Sequence, residues 1–293
     1  MQSSSIRASY EGARLLLVHA HPDDETINNG ATMAKYASLG AKVTLVTCTR
    51  GEEGEVLVPD LAHLAAHQTD SLGEHRVEEL AAAMKALGIT DHRFLGEGVI
   101  KYRDSGMMGT EPNNRPDTFW SADFDGATEH LVKVIDEVKP HILITYDEFG
   151  GYGHPDHIQA HRVAMAASEK SVWDIPKIYW NVMPKSVIQE GIDAMKKIGS
   201  DFMGAESADD LPFAKDDSFV HARIDGNAYV NQKMDAMRAH ATQIEVDGPF
   251  FALSNNLGLQ VWGFEYYTLI KGAKCEPFDA QGYETDLLAG ISL

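Results

Sequence analysis

Apolar runs alternate with amphipathic stretches along the chain, setting out a series of β and α steps. The run Leu15-Leu-Leu-Val-His-Ala reads as a buried strand that empties into His21-Pro-Asp-Asp-Glu25. From Thr26 to Ser38, Ile27, Ala31 and Ala34 recur at helical spacing, and Gly40 supplies the stop. Lys42 to Thr49 is rich in β-branched residues and predicts a second strand, which completes a parallel β-α-β unit. Val77, Leu80, Ala81, Met84 and Leu87 predict a helix up to Gly88, with a short strand following around Arg93 to Leu95. No period is sustained from Gly96 to Gly126, but Tyr102, Phe119 and Trp120 argue for an ordered, substrate-covering loop over a disordered one. A helix from Ala127 to Val138, a buried strand from His141 to Asp147 and a helix through Ser168 come next. Lys177 to Val182 predicts a strand, and Ser186 to Ile198 a helix closed by Gly199. The acidic stretch Asp201 to Asp217, with Phe202 and Leu211 as apolar anchors, reads as a link. A strand at Phe219 to Ile224, a helix with Val230, Met234, Met237 and Ala241 on one face, and a last strand at Gln260 to Ile270 follow it.

This order predicts an α/β fold with a mostly parallel sheet and flanking helices: a domain over residues 10–182 and a smaller C-terminal α/β region over 183–293 that packs on the site. In open α/β sheets ligands bind outside the carboxyl ends of the strands. Two similar turns arrive there, His21-Pro-Asp-Asp-Glu25 and Gly150-Gly-Tyr-Gly-His-Pro-Asp-His157. One such turn alone would read as a helix start capped by an aspartate. Paired, they crowd carboxylates against imidazoles, which is costly unless a cation or a shared proton joins them, and a divalent metal is the simplest such cation. A carboxylate oxygen with two imidazoles is the donor set of catalytic zinc, and it also suits non-haem iron. The alternating β and α elements argue against the all-β scaffold usual for iron oxygenases. His157 and His161 lie one helical turn apart, so either is placed to face a metal. Arg50-Gly-Glu-Glu-Gly-Glu55 leaves its strand on the same side, as a wall of the site or as a solvated acidic turn. Arg76 taken alone is a surface arginine.

Charge narrows the partners. Forty-four acidic against 25 basic side chains give a formal net charge of −19, which repels nucleic acid and anionic membranes. No apolar run nears membrane-spanning length, and the opening Met1-Gln-Ser-Ser-Ser-Ile-Arg lacks the apolar core of a secretory signal, so a cytoplasmic location is expected. Cys48 and Cys275, two thiols and no disulfide framework, fit that expectation.

The two His-Pro-Asp turns together resemble the zinc-dependent N-deacetylases of N-acetylglucosaminyl conjugates, and most closely their mycothiol-pathway branch. The likeness extends through Asn29-Gly-Ala-Thr, Gly51-Glu-Glu-Gly-Glu, Arg103-Asp-Ser-Gly-Met, His240-Ala-Thr-Gln, Leu253-Ser-Asn-Asn and Glu284-Thr-Asp-Leu-Leu-Ala-Gly. The resemblance implies a Rossmann-like fold and hydrolysis of the acetamide of N-acetylglucosaminyl-inositol, a small pseudodisaccharide. The sister amidase of mycothiol S-conjugates is the nearest rival. A non-catalytic metal- or sugar-binding module is the rival of another class. By the same resemblance His21, Asp24 and His157 hold one Zn2+ per chain, with Fe2+ accepted by the same donors. Asp23 is then the general base, and His154 the acid or oxyanion stabiliser oriented by Asp156. Tyr152 polarises the carbonyl, Arg76 and Asp104 hold sugar or inositol hydroxyls, and His161 is structural. The sequence is silent on oligomeric state.

Overall fold

The computed structural model describes residues 9–197, 199, 201–245 and 263–293. Among these residues, eight strands and seven α-helices alternate largely as the periodicity predicts. They are β1 (Arg14–His19), α1 (Asp24–Ser38), β2 (Lys42–Thr47), α2 (Leu72–Leu87), β3 (Asp91–Phe94), α3 (Phe124–Val138), β4 (Ile142–Thr145) and the single turn α4 (Gly150–Gly153). There follow α5 (Pro155–Lys170), β5 (Lys177–Pro184), α6 (Lys185–Lys197), β6 (Ala214–Lys215), β7 (Ala222–Asp225), α7 (Val230–Ala239) and β8 (Phe264–Lys271). The predicted start of the last strand at Gln260 and the stretch Leu253-Ser-Asn-Asn lie outside the described residues.

The sheet runs β3-β2-β1-β4-β5-β8-β7, with β6 beside the end of β5. Strands β1 to β5 pair in parallel, and β8 pairs antiparallel with both β5 and β7. Because β1 pairs with β2 on one side and β4 on the other, the order reverses between β1 and β4, and their carboxyl ends form a switch point. Both His-Pro-Asp turns leave from these two ends.

The uninterrupted apolar run of β1 is explained by burial on both faces. Leu15 and Leu17 pack with Met33, Tyr36, Leu80 and Met84 of α1 and α2, while Leu16 and Val18 pack with Leu131, Ile135 and Val163 of α3 and α5. Helix α7 lies on the α1–α2 side. The stretch 201–217 does more than link. Phe202, Ala205, Ala208 and Leu211 bury themselves against Ile188, Ile192 and Met195 of α6 as a separate small core.

Two buried carboxylates tie the last strand and the tail to residues 10–182. Glu265 of β8 accepts the backbone amides of Ala31 and Thr32 in mid-α1 (3.0 and 2.7 Å) and pairs with Lys233 of α7 at 2.7 Å. Glu284 pairs with Lys177 at 2.7 Å and accepts the Tyr179 hydroxyl at 2.8 Å. Among the described residues, no helix is long and apolar enough to cross a membrane.

Candidate active site

The chain leaving β1 turns sharply at Pro22 and enters α1 at Asp24; the chain leaving β4 wraps through three glycines and enters α5 at Pro155. The two turns meet. His21 Nδ1 and His157 Nε2 face one another at 3.2 Å, and Asp24 Oδ2 stands 3.5 Å from the first and 3.4 Å from the second. Donors bound at about 2.0–2.2 Å in a tetrahedral site stand roughly 3.3–3.6 Å apart, so the triangle has the size of one face of such a site.

The second nitrogen of each ring shows what the facing nitrogens offer. His21 Nε2 is 3.2 Å from the carboxylate of Asp156, and His157 Nδ1 is 3.1 Å from the Gly150 carbonyl, so each of these outer nitrogens carries the hydrogen. The inner nitrogens are then lone pairs aimed, with a carboxylate oxygen, at one point. Such convergence suits a shared cation or proton, and the residues fit a divalent metal. Burial pushes Asp24 up, but the His157 and His21 imidazoles outweigh it and hold its carboxyl well below the usual range. Burial pushes His157 down to about 4, leaving a neutral ring. Burial also opposes protonation of His21, yet Asp104, Asp156 and Asp24 raise it well above the ordinary value, so a metal must compete with a proton for Nδ1. His154 also comes within 4.8 Å of His21 and His157. Asp24 closes the tighter triangle.

Gly150 is where a close approach requires glycine. Its φ is 64°, and a Cβ there would lie 2.5 Å from His157 Cβ. His161, which periodicity left open, points away: its Nδ1 meets the Tyr146 carbonyl at 3.0 Å and its ring packs edge-on against Trp180.

Helix α1 does start at this turn, but Asp23 at its N-cap position makes no capping bond with its side chain. Its φ of 121° is strained for any residue with a Cβ. The side chain turns instead to Arg76, whose Nη2 donates to Oδ2 at 3.1 Å. Burial raises the Asp23 carboxyl to about 7 against the pull of Arg76, which suits a base working near neutral pH. Arg76 itself is buried, and its guanidinium also donates to the carbonyls of Pro22 and Gly51. It is no surface arginine.

A family model described as PIG-L, GlcNAc-PI de-N-acetylase, matches residues 16–168, which include both turns. The chain belongs to the PIG-L family. A protein of Geodermatophilus obscurus named 1D-myo-inositol 2-acetamido-2-deoxy-alpha-D-glucopyranoside deacetylase is 58% identical, covering 95% of this chain and 98% of its own. Among solved structures, N,N'-diacetylchitobiose deacetylase from Pyrococcus horikoshii superposes with a TM-score of 0.55 at 19% identity, covering 88% of this chain and 84% of that one. The 4-carboxy-2-hydroxymuconate hydratase from Pseudomonas putida gives 0.59 at 18%, covering 91% and 100%. These two likenesses concern the fold alone, and a hydratase beside a deacetylase means the scaffold does not by itself fix the reaction.

His154, Asp156, Tyr152, Arg76 and Asp104, which the PIG-L resemblance singles out, stand near the triangle, and the contacts of Asp156 differ from those expected. Asp156 does not reach the His154 ring with its carboxylate. It holds His21 Nε2 and accepts the amide and hydroxyl of Ser105, while only its backbone N–H meets His154 Nδ1, at 3.1 Å. A ring whose Nδ1 accepts carries its hydrogen on Nε2, and burial together with His21 and His157 pushes His154 down to about 3. The imidazole is a neutral Nε2–H donor. Tyr152 stands at the mouth with 40% of its surface exposed, its ring 4.9 Å from that of His157. Asp104 lies behind His21, 3.6 Å from its Nε2, and accepts the Glu53 and Gly106 amides. Arg76 and Asp104 thus contact Asp23 and His21 from within the protein. Glu52 is buried and accepts the Asp104 amide, so the glycine-glutamate loop backs the site.

A cleft of about 530 Å³ opens onto Asp23, Asp24, Tyr152 and His157, and Met203, Phe213 and Lys215 of the 201–217 stretch form its far wall. Sequence reasoning missed Tyr146. Its hydroxyl donates to Asp24 Oδ2 at 2.7 Å and accepts the Ala20 amide at 2.8 Å, and its ring stacks on His157 at 4.4 Å. A polar-tipped aromatic ending an apolar strand one residue before the site loop was the available signal.

Proposed function

We propose that this chain is a zinc-dependent deacetylase that hydrolyses the acetamide of 1D-myo-inositol 2-acetamido-2-deoxy-α-D-glucopyranoside to acetate and the free amine, a step of mycothiol biosynthesis. The observation that carries the reading is the convergence of His21 Nδ1, Asp24 Oδ2 and His157 Nε2 in a chain 58% identical to a protein of that name. A divalent ion bound there supplies Lewis acidity, bringing the pKa of water from about 15.7 toward about 7. Zinc suits two imidazoles and a carboxylate, and Fe2+ is accepted by the same donors.

The chain's own groups divide the remaining work. Asp23, ionised above about pH 7 and pinned by Arg76, takes the proton from the attacking water and gives it to the amine nitrogen as the C–N bond breaks. His154 Nε2–H donates to the oxyanion as it forms, a role for a neutral ring held by its Nδ1 acceptor bond. Tyr152 polarises the acetamide carbonyl from the glycine-rich loop, and its phenol, raised by burial, stays a donor at every working pH. Asp156 fixes the tautomer of His21. Residues 10–182 carry all of these groups, and residues 183–293 close the cleft as a smaller region. The partner is a small sugar conjugate and not a nucleic acid or a membrane, and the protein works in the cytoplasm.

Incubating purified, metal-analysed protein with N-acetylglucosaminyl-inositol and with a bulky mycothiol S-conjugate tests the reading. Acetate release from the first should dominate. Faster cleavage of the conjugate, or sugar binding with no acetate released, would overturn it, and iron outnumbering zinc after anaerobic purification would overturn the metal.

A further inference from the structure

We propose that the turn His240-Ala-Thr-Gln243, directly after α7, positions Asp23 for catalysis, with His240 as the positioning residue acting through Glu25. The inference rests on the reading of Asp23 as the base. At φ 121° and ψ −36° the Asp23 backbone is strained for a residue with a Cβ, and it persists only where the surroundings hold it. Its amide donates to Glu25 Oε2 at 2.9 Å. The other oxygen of Glu25 meets His240 Nε2 at 2.9 Å, and both side chains are wholly buried. A carboxylate so enclosed cannot swing away from Asp23 without leaving an imidazole unpaired in the interior.

The next residues of the turn reach the other supports of Asp23. Thr242 donates its amide and hydroxyl to Glu79, at 2.8 and 2.7 Å, one helical turn beyond Arg76 on α2. Arg76 is the residue that holds the Asp23 carboxylate. Gln243 Nε2 donates to the Glu55 carbonyl at 3.0 Å, in the loop whose Gly51 carbonyl accepts Arg76 Nη1. One short turn from the C-terminal region therefore grips the backbone of Asp23, the helix of its arginine and the loop that anchors that arginine. None of its residues lies on the cleft wall or touches a metal donor. Its effect should fall on kcat and leave KM and metal binding alone.

His240→Gln keeps a donor near the position of Nε2, whereas His240→Asn is polar yet too short to reach Glu25. With metal content measured for each, His240→Asn should lose kcat by about 10- to 100-fold at wild-type KM and metal stoichiometry, the scale expected of a reacting group displaced by about 1 Å. His240→Gln should recover most of it. The same substitutions are then made in an Asp23→Asn background, where a residue that acts only through the base has nothing left to impair. If the His240 variants do not fold, Thr242→Val carries the same cycle with a smaller effect. Equal losses in His240→Asn and His240→Gln, a loss borne by KM or metal content, or a loss that persists in the Asp23→Asn background would overturn the inference. Near-normal turnover of Asp23→Asn alone would instead overturn the reading of Asp23 as the base.

Discussion

Tyr146→Phe isolates one hydroxyl beside the metal donors. The phenyl ring keeps the stack on His157, at 4.4 Å and 22° between planes, so packing is preserved and only hydrogen bonding changes. Two bonds are lost at once: the donation to Asp24 Oδ2 at 2.7 Å and the acceptance from the Ala20 amide at 2.8 Å. Burial, and then Asp24, raise the Tyr146 phenol well above its ordinary value, so it donates throughout any practical pH range. A hydrogen bond to a buried carboxylate contributes about 1.5–3 kcal/mol, and an orphaned buried amide costs about 1–3 kcal/mol. The amide term weakens the fold with or without metal. The Asp24 term acts on the ligand itself, and loss of an orienting partner of this kind typically weakens metal binding about 10- to 100-fold. Urea denaturation of metal-free protein reads the first term, and competition for metal against a chelator of known affinity reads the second. A variant that is less stable yet binds metal with wild-type affinity would refute the view that Tyr146 orients Asp24.

Asp23→Asn should keep its metal and lose turnover by roughly 10²- to 10⁴-fold, whereas Asp24→Asn should lose metal; metal content and acetate release measured side by side decide it, and the reverse pattern would refute the assignment. The raised pKa of Asp23 also sets a sign for stability: the folded state holds this proton up to about pH 7 while the unfolded chain releases it near 3.8, so the ionised group costs stability above that window and nothing below it. Asp23→Asn should therefore raise the Tm at pH 8, with the gain shrinking as pH falls toward 4; a constant gain would contradict this. Gly150→Ala places a Cβ 2.5 Å from His157 Cβ at a positive φ, and should lower both thermal stability and metal content.

The sequence made the first half of the fold legible because its signals there are local. The apolar run of β1, the β-branched β2 and the stop at Gly88, observed in the left-handed conformation, each mark their element through short-range sterics. Periodicity failed where long-range pairing decides. The two residues of β6 gain order only beside β5, and β7 begins at Ala222 because a one-turn 3-10 helix occupies Asp217–Phe219. In the site, the meeting of His21, Asp24 and His157 was legible as repeated His-Pro-Asp turns, since crowded carboxylates and imidazoles signal a shared cation or proton. Their orienting partners were not. That Asp156 serves His21 and not His154, two residues away, depends on the register of β4 against β1, and the burial of Arg76 depends on α2 packing toward the Pro22 carbonyl. No spacing along the chain encodes either contact.

The grip of Glu265 on Ala31 and Thr32 changes how the molecule should come apart. Those amides lie in the middle of the helix whose first turn carries Asp24, and the carboxylate that holds them belongs to a strand more than two hundred residues later, paired with Lys233 of a third element. Pulling β8 away would strand a carboxylate and an ammonium in the interior and open the ladder of α1, so the last strand has no inexpensive way to detach. Helix α1, α7 and the antiparallel edge of the sheet therefore behave as one cooperative unit of opening, in which the slowest-exchanging amides of the early and late chain are released together.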